Sequence, residues 1–439
     1  MIKKIIKKII PDWALFLYHR TLAKLAAFYY GNPSKKMVVI GITGTKGKTS
    51  TANFIWSCLS TAGIKTGQTG TANIRIGEKE MLNPHHMTMP GRFVLQKYLR
   101  KMLDAGCKFA IVETTSEGIK QWRHAGIEYD VAIFTNLYPE HLTSHGGSFD
   151  EYKKAKGKLF SALKPEGVKN KIINGEFIPK IIIANSDSEF SNYFSAFPAD
   201  KKFTYGVTDQ ADFRAVEINN FSQSGGPSFT VSGERYELSI PGEFNIENAL
   251  PAIAFCKAFG VKTEMIISGL KSLKSIPGRM EKIDVGQSFK VYVDYAHQKE
   301  SMEALLISAR QIAGDNNKII VLLGAEGGGR DKAKRTQMGE VVARLADFIV
   351  VSNVDPYDDD PIEIAEDIAR TTQAWGKIRN ENLFVILDRR LGINKALSLA
   401  QPNDIVLITG KGSEQSIITN SKSVYWDDRE IVRDEIHKL

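Results

Sequence analysis

"MVVIGITGTKGKTS", residues 37–50, decides how the rest of the chain is read. Four apolar residues, Met37 to Ile40, run into Gly-Ile-Thr-Gly and on into Thr45-Lys46-Gly47-Lys48-Thr49-Ser50. A hydrophobic strand that turns through glycines straight into a helix leaves unpaired backbone N–H groups at the helix start, where they attract anionic oxygens. On this reading the N–H groups of Gly44 to Lys48 face phosphates, the Lys48 ammonium adds charge, and the Thr49 hydroxyl reaches magnesium. The usual phosphate turn has four residues between its first glycine and the Gly-Lys pair, whereas five separate Gly41 from Gly47. The position between a hydrophobic strand and a helix still predicts nucleotide binding.

Outward from this turn, short apolar runs alternate with helical patterns. A helix from about Thr49 to Ala62 precedes "FAIVET" and "VAIFTN", and one from about Phe149 to Leu163 precedes "KIIIANSD". Such alternation predicts a parallel sheet with crossover helices. Between 201 and 240, "KKFTYGV", "SFTVSG" and "RYELSI" suggest antiparallel strands, followed by a helix from Ile246 to Phe259. "SIPGRME", 275–281, reads as a linker because Pro-Gly interrupts both helix and strand. Beyond it, "KVYVDYA", "KIIVLLGAEGGG", "DFIVVSN", "NLFVILD" and "DIVLITGKGS" describe a second doubly wound, Rossmann-like series. The expected division is a basic segment at 1–32, a nucleotide-binding domain at 33–276 and a last domain at 277–439.

Composition fits a globular protein: 43% of the 439 residues are hydrophobic and 25% charged, which excludes wholesale disorder. Cys58, Cys107 and Cys256 are too few and too widely spaced for a disulfide scaffold or a zinc knuckle, which suits a reducing cytoplasm. The net charge of +8 is concentrated at the start of the chain. Eight lysines and arginines stand against the single acid Asp12 in residues 1–36, so the rest is nearly neutral and offers no track for nucleic acid.

The opening stretch repeats apolar residues at positions 2, 5, 6, 9, 10 and 13 with lysines between them, the pattern of an amphipathic helix. Pro11 splits it from a second helical pattern, Trp13 to Tyr30, which is interrupted by His19, Arg20 and Lys24 and cannot span a bilayer. No signal-peptide cleavage pattern is present. Two readings remain open: a helix lying on an anionic membrane surface, or a helical hairpin packed on the protein's own body.

Glu113 ends a predicted strand, and strand carboxyl ends line the ligand crevice of an open parallel sheet, so it could meet the phosphates through a metal. His141 and His145 lie just past another strand end. Loop histidines are commonly only hydrogen-bonding residues, and Lys156 on the next helix would by itself be read as solvated.

The set "GTKGKTS", "ETTSEG", "NLYPEHLTSHGG" with "YKKAKGKLF", "GEFNIENALPAIA", "PGRME", "VDYAH", "GGGRDKAKR" and "GKGSE…WDDRE" resembles the Mur ligases in order and spacing. It is most similar to the branch that adds the third residue of the peptidoglycan stem peptide. The resemblance implies an α/β fold: a P-loop ATPase central domain with a parallel sheet plus a small antiparallel part, a Rossmann-like C-terminal domain, and an amphipathic helical hairpin ahead of both. It also implies an ATP-dependent, ADP-forming amide ligase using two Mg2+ ions, acting on a nucleotide-sugar peptide and an amino acid in the cytoplasm, peripherally at the inner membrane surface if the opening helices touch lipid.

By the same resemblance Gly44, Thr45, Lys46, Gly47, Lys48, Thr49 and Ser50 hold the ATP phosphates. Thr49, Glu113, His141 and Lys156 hold metal, Lys156 standing where the family carries a lysine carboxylated by CO2. Asn248 meets adenine, Arg279 reaches the phosphates, and Asp294, Tyr295 and His297 add nucleotide contacts. Substrate contacts fall at Thr88, Thr115, Ser116, Arg330, Asp355, Tyr357, Asp358, Gly410 and Glu414, with Arg330 and Glu414 anchoring the incoming amino acid.

Diaminopimelate-adding relatives carry an Asp-Asn-Pro-Arg motif whose arginine grips the distal carboxylate. Here "NVDPYDDDP" puts Tyr357 at that arginine, and Asp358, Asp359 and Asp360 add negative potential suited to an ammonium, so lysine or another diamino acid is expected. The plain alternative is that these acids cap a helix starting near Pro361. The family's Ser-Ser-His-Gly appears as Thr115-Ser116-Glu117-Gly118, and some 36 residues precede the phosphate turn where the family has a UDP-sugar-binding domain. The expectation is an acceptor recognised elsewhere or presented on a membrane lipid. Competing readings are a folylpolyglutamate synthetase-like ligase and a non-catalytic nucleotide-binding tether of a cell-wall assembly.

Overall fold

The structure, a computed structural model, describes residues 12–140, 142–163, 171–208, 211–420 and 422–439. Two compact units divide the chain. The first holds the described residues up to Ile218 with Phe229–Glu237 and Ile246–Ser272, and the second holds Asn219–Ser228, Leu238–Asn245 and Leu273–Leu439.

The first unit is built on a nine-stranded sheet whose strands, edge to edge, are Phe213–Arg214, Lys201–Gly206, Ile181–Asn185, Val131–Phe134, Val38–Thr43, Phe109–Glu113, Thr66–Thr69, Asn73–Ile76 and Lys79–Leu82. Val38–Thr43 is buried at every position, as a central parallel strand with both faces covered must be. It pairs in parallel with Phe109–Glu113 on one side and Val131–Phe134 on the other, with Ile42 opposite Glu113 and opposite Ile133. This arrangement sets the strand ends that matter, Thr43, Glu113 and Phe134, along one rim.

Gly41 lies inside this strand, where a Cβ would stand 2.6 Å from Leu159 Cδ1 and 2.9 Å from the Tyr129 ring. The phosphate turn therefore starts at Gly44, and the extra residue counted from Gly41 is strand. Helix Lys48–Thr61 follows directly.

"KKFTYGV" does not join an antiparallel sheet. Lys201–Gly206 pairs in parallel with both Ile181–Asn185 and Phe213–Arg214. Alternating residue types do not encode strand direction, and burial here rises along the strand, from exposed Lys201 and Lys202 to buried Tyr205 and Gly206, instead of alternating. The other two stretches, Ser228–Val231 and Glu234–Glu237, lie in a separate three-stranded sheet with Val216–Asn219. At the opposite margin Thr66–Thr69, Asn73–Ile76 and Lys79–Leu82 form an antiparallel edge. The first two of these strands are polar because they bury a network: Arg75 Nη1 donates to Asn53 Oδ1 at 2.7 Å and Gln68 Oε1 at 2.8 Å, and its guanidinium lies 3.8 Å from the Trp56 ring centre.

The opening helix, Asp12–Tyr29, buries Ala23, Ala26 and Ala27 and packs on helix Arg92–Asp104. The amphipathic stretch at residues 2–10 lies outside the described residues.

In the second unit the five apolar runs form the strands of one sheet: Lys290–Asp294, Ile405–Thr409, Ile319–Leu323, Phe348–Val351 and Leu383–Val385, all parallel and in that spatial order. Glu281–Ile283 adds an antiparallel edge beside Lys290–Asp294. Helices Lys299–Ala313, Ala333–Leu345 and Pro361–Ala374 bring Leu306, Val342 and Ile368 to one core. Arg389–Ser398 and Asp428–Ile436 bring Ile393 and Val432 to the other, so the sheet is wound on both faces.

Candidate active site

The phosphate turn is held by backbone and by neighbours from the next strand end. Gly44 has φ +153° and Gly47 φ +83°, conformations that disfavour a side chain. A Cβ would run into Thr135 Oγ1 at Gly44 and into Asn248 Oδ1 at Gly47. Lys46 N donates to Asn136 Oδ1 at 2.8 Å, Thr45 N to the Asn136 carbonyl at 2.9 Å, and Thr135 Oγ1 to the Lys46 carbonyl at 2.6 Å. The Lys48 ammonium lies over the turn, 2.9 Å from the carbonyls of both Gly44 and Thr45. Ser50, buried like Thr49, sits in the first turn of the helix.

Glu113 is fully buried at its strand end. Its carboxylate accepts from Thr49 Oγ1 at 2.9 Å, Thr71 Oγ1 at 3.0 Å and Thr71 N at 3.1 Å, and Thr71 Oγ1 is 2.8 Å from Thr88 Oγ1. A carboxylate and a hydroxyl side by side at the helix start are hard oxygen donors, the set that magnesium takes, so these residues fit the ion.

Lys156 approaches the same turn from helix Phe149–Ser161, whose start is set by Ser148 accepting from Glu151 N and by Asp150 and Glu151 in the first turn. Its Nζ donates to the Gly44 carbonyl at 2.7 Å and lies 4.6 Å from the Tyr152 ring centre. Burial, reinforced by the neighbouring Lys48, drives its pKa well below the ordinary lysine value. A neutral buried amine is the form that can add CO2.

His141 lies outside the described residues. Its neighbour Glu140 sits 3.4 Å from the Lys46 ammonium, and His145 is buried with its ring centre 5.4 Å from that of Tyr152. Asn248, on helix Phe244–Ala258, accepts through its carbonyl from Thr51 Oγ1 at 3.1 Å, which ties that helix to the one after the turn. Thr115 caps helix Ser116–Lys120 by accepting from Gly118 N, Ser116 is buried, and Glu117, where the family has histidine, accepts from Ser144 Oγ at 2.7 Å.

In the second unit the predicted residues form a connected polar cluster. Tyr295 OH donates to Glu414 Oε1 at 3.1 Å, and Lys411 bridges Glu414 at 2.7 Å and the buried Asp355 at 2.8 Å. Burial opposes the Lys411 charge, yet Glu414 and Asp355 outweigh it and raise its pKa above the usual value. The Arg279 guanidinium lies 4.5 Å from the Tyr295 ring centre, and His297 Nδ1 is 2.7 Å from the Tyr295 carbonyl. Asp294 accepts from Met280 N and Ala296 N, and burial raises its pKa against the pull of Arg279. Gly410 has φ +103°.

Tyr357 sits at φ +56° and receives a hydrogen bond from Arg330. Burial would raise the Glu326 carboxyl, but Lys334, Arg330, His297 and Lys411 bring it down to about 2. Asp358 is exposed, Asp359 accepts from Gly328 N at 3.1 Å, and Asp360 caps helix Pro361–Ala374 by accepting from Ile362 N at 2.9 Å. Asp360 therefore takes the capping role.

Several residues of these clusters carry no sequence signal of their own. Thr71 and Thr135 occur in stretches without a distinctive spacing, and Asn136 and Tyr152, although they open "NLYPEHLTSHGG" and "YKKAKGKLF", are not singled out by residue type. Lys411 and Glu326 could have been found as the charged neighbours of Glu414 and Arg330 in "GKGSE" and "GAEGGGR".

A P-loop unit whose turn gathers a buried acid and a buried lysine, followed by a doubly wound unit with its own charged cluster, defines an ATP-dependent ligase architecture. The sequence profile of the Mur ligase middle domain matches residues 42–256, and that of the Mur ligase glutamate ligase domain matches residues 278–412. The chain belongs to the Mur ligase family, whose members are ATP-dependent ligases and generally use magnesium.

It is 36% identical over 419 residues to the UDP-N-acetylmuramoyl-L-alanyl-D-glutamate–2,6-diaminopimelate ligase of Geobacillus kaustophilus, covering 94% of this chain and 82% of that protein. Over 430 residues it is 36% identical to the UDP-N-acetylmuramyl-tripeptide synthetase of a Roseiflexus species, covering 95% and 82%. A solved UDP-N-acetylmuramoyl-L-alanyl-D-glutamate–2,6-diaminopimelate ligase superposes with a TM-score of 0.59 at 26% identity, covering 92% of this chain and 78% of that one. The Mycobacterium tuberculosis folylpolyglutamate synthase complexed with ADP and AMPPCP superposes with a TM-score of 0.69 at 18% identity, covering 91% and 96%, which shows a shared fold.

Proposed function

We propose that this ligase extends a UDP-muramoyl dipeptide by one diamino acid, L-lysine by preference, in peptidoglycan precursor synthesis, working in the cytoplasm and peripherally at a membrane through residues 1–30. The observation that carries the chemistry is the convergence of Glu113, Thr49 and Lys156 on one phosphate turn.

A carboxylate is a poor electrophile, and phosphorylation supplies its leaving group. The acceptor's carboxylate oxygen attacks the γ-phosphorus of ATP, the bond to the β-phosphate oxygen breaks, and ADP departs. The amine of the incoming amino acid then attacks the acyl carbon, and the tetrahedral adduct loses phosphate and a proton to leave the amide. Magnesium, held by Thr49, Glu113, His141 and carboxylated Lys156, would neutralise phosphate charge as it develops. The protein's own share is mainly positioning and charge. Backbone N–H groups of Gly44 to Lys48 and the Lys48 ammonium bind the β- and γ-phosphates. In the second unit, Arg279 is assigned to the phosphates and Arg330 and Glu414 to the amino acid's α-carboxylate and amino group.

The substrate assignment follows the names of the relatives that span most of this chain at 36% identity. The folylpolyglutamate synthase likeness bears on the fold and leaves the acceptor open. The preference for lysine rests on Tyr357 standing where an arginine would grip a distal carboxylate. Supplying ATP, magnesium and UDP-muramoyl-L-Ala-D-Glu with lysine, ornithine or diaminopimelate in separate reactions, and weighing the products by mass spectrometry, tests it. A lysine adduct is expected, and no adduct with any of the three would overturn the reading.

A further inference from the structure

We infer that the outward face of the opening helix, continued onto helix Arg92–Asp104, docks on an anionic lipid bilayer. This rests on the peripheral reading given above and names its surface and its lipid class.

The opening helix carries apolar residues on two faces. Toward the body Ala23, Ala26 and Ala27 are buried, Leu15 and Leu22 are half-buried and the Phe16 ring packs on Trp122. On the outward face a second set of large side chains, Leu17, Tyr18, Leu25, Phe28 and Tyr29, is exposed by 52% to 76%. A helix that serves only its own fold turns its bulky apolar residues inward. Positions 17, 21, 24, 25 and 28 share one helical stripe, and Tyr18 and Tyr29 flank it. The patch continues across the helix pair, since Phe93 is 43% exposed and its ring centre lies 6.3 Å from that of Tyr29.

Charge identifies the occupant. Arg20 and Lys24 are exposed along the stripe, and Lys97 and Lys101 are exposed one and two turns beyond Phe93. The acid on that neighbouring face, Asp104, is paired with Arg100. Immediately upstream in sequence lie Lys3, Lys4, Lys7 and Lys8 among isoleucines. Aromatic rings with a basic rim suit the boundary between headgroups and acyl chains, where rings enter the interface and cations meet lipid phosphate. Among the described residues no helix is long and apolar enough to cross a membrane, so the helix would lie in the interfacial plane.

The test is sedimentation of the full chain with vesicles of phosphatidylcholine alone or mixed with phosphatidylglycerol, at low and at high salt. The chain should pellet with the mixed vesicles, about tenfold less at high salt because exposed charges are screened, and stay in solution with phosphatidylcholine alone. The triple variant Leu17→Ser, Phe28→Ser, Tyr29→Ser, all at exposed positions, should keep its melting temperature and lipid-free turnover while losing pelleting at least tenfold. Three results overturn the proposal: no binding of the wild type to mixed vesicles, equal binding of the variant, or a wild-type dimer in sedimentation velocity that the variant abolishes while neither binds lipid. Lipid-free turnover is read in every arm, so a failure of docking stays distinct from a failure of the ligase reading.

Discussion

The Thr49 hydroxyl and the Glu113 carboxylate, 64 residues apart in sequence, meet at 2.9 Å beside the phosphate turn. One comes from the first turn of a helix and the other from the end of the adjacent parallel strand. Glu113→Gln keeps the size but replaces one accepting oxygen with a donating NH2 and removes the charge. Turnover should fall on the order of 10²–10³-fold, the scale of losing one preorganised electrostatic contact, and the magnesium concentration for half-maximal rate should rise. Phosphate release measured across a magnesium titration decides this; a variant within about twofold of wild type would remove Glu113 from the metal site.

Lys156 tests the other flank of the turn. An ammonium in this buried position has Lys48 as a repelling neighbour, and losing its proton relieves that cost. Lys156→Ala should lower turnover by roughly 10²-fold or more, with at most partial recovery in short carboxylates. Wild-type protein equilibrated with carbon-13 bicarbonate should give a carbamate resonance that the variant lacks. A resonance unchanged in the variant would place the carbamate on another amine.

Much of the fold was legible because the central strands of both large sheets are parallel and read as continuous apolar runs such as "MVVIGIT" and "DIVLIT". The polar margin Thr66–Leu82 was not, because Gln68, Asn73 and Arg75 are buried by hydrogen bonding to one another and to Asn53, and hydropathy is blind to that. The phosphate turn was legible, with its start misplaced by a glycine that a strand needs for packing. Lys156 alone carried no signal and became a candidate only through the family pattern, since a helical lysine four positions after Tyr152 looks solvated until the fold buries it. The strand direction of "KKFTYGV" was hidden because alternating residue types do not say which way a strand runs, and here burial rises along the strand instead of alternating.

Tyr357 gives a prediction on specificity. It stands at φ +56° with Arg330 donating to it, and Asp358 beside it is exposed. Tyr357→Arg would supply a fork able to grip a carboxylate bidentately. The kcat/KM for diaminopimelate should rise about tenfold and that for lysine should fall, a shift of the size of one charged hydrogen bond. Side-by-side kinetics with both amino acids read this out, and unchanged ratios would move the selectivity away from this loop.

His124 makes the first unit acid-sensitive. Burial, with help from Lys158, lowers its pKa from 6.5 to about 4, and its Nδ1 has no hydrogen-bond partner among the described residues. Between those two values the unfolded chain binds a proton that the folded chain refuses, so stability falls as pH drops from 6.5 towards 4 and levels off below. The loss is on the order of 3 kcal/mol at most, from about 1.4 kcal/mol per pKa unit. His124→Phe keeps a ring beside Trp122 and removes the titration. Urea unfolding of both proteins at neutral and mildly acid pH should show the wild type losing ground to the variant on acidification; a gap that stays constant with pH would contradict it.

The "WDDRE" stretch earns its place through a buried ion pair. Arg389 Nε and Nη2 donate to the two Asp428 oxygens at 2.8 and 2.6 Å, while Nη2 and Nη1 also reach the carbonyls of Thr409 and Asn353 at 2.8 and 3.0 Å. Trp426 Nε1 donates to Asp428 at 2.7 Å. The pair thus ties the last helix to the ends of two sheet strands, just before Gly410 and Lys411. Asp428→Ala would strand a buried guanidinium and should cost about 3–5 kcal/mol, whereas Arg389→Met with Asp428→Leu should recover most of that, because removing both charges also removes their desolvation cost. Denaturant unfolding of the two variants distinguishes a strut from a substrate contact. A strut gives a destabilised single variant whose turnover per folded molecule is near wild type, and a stable single variant without turnover would assign Asp428 to the reaction instead.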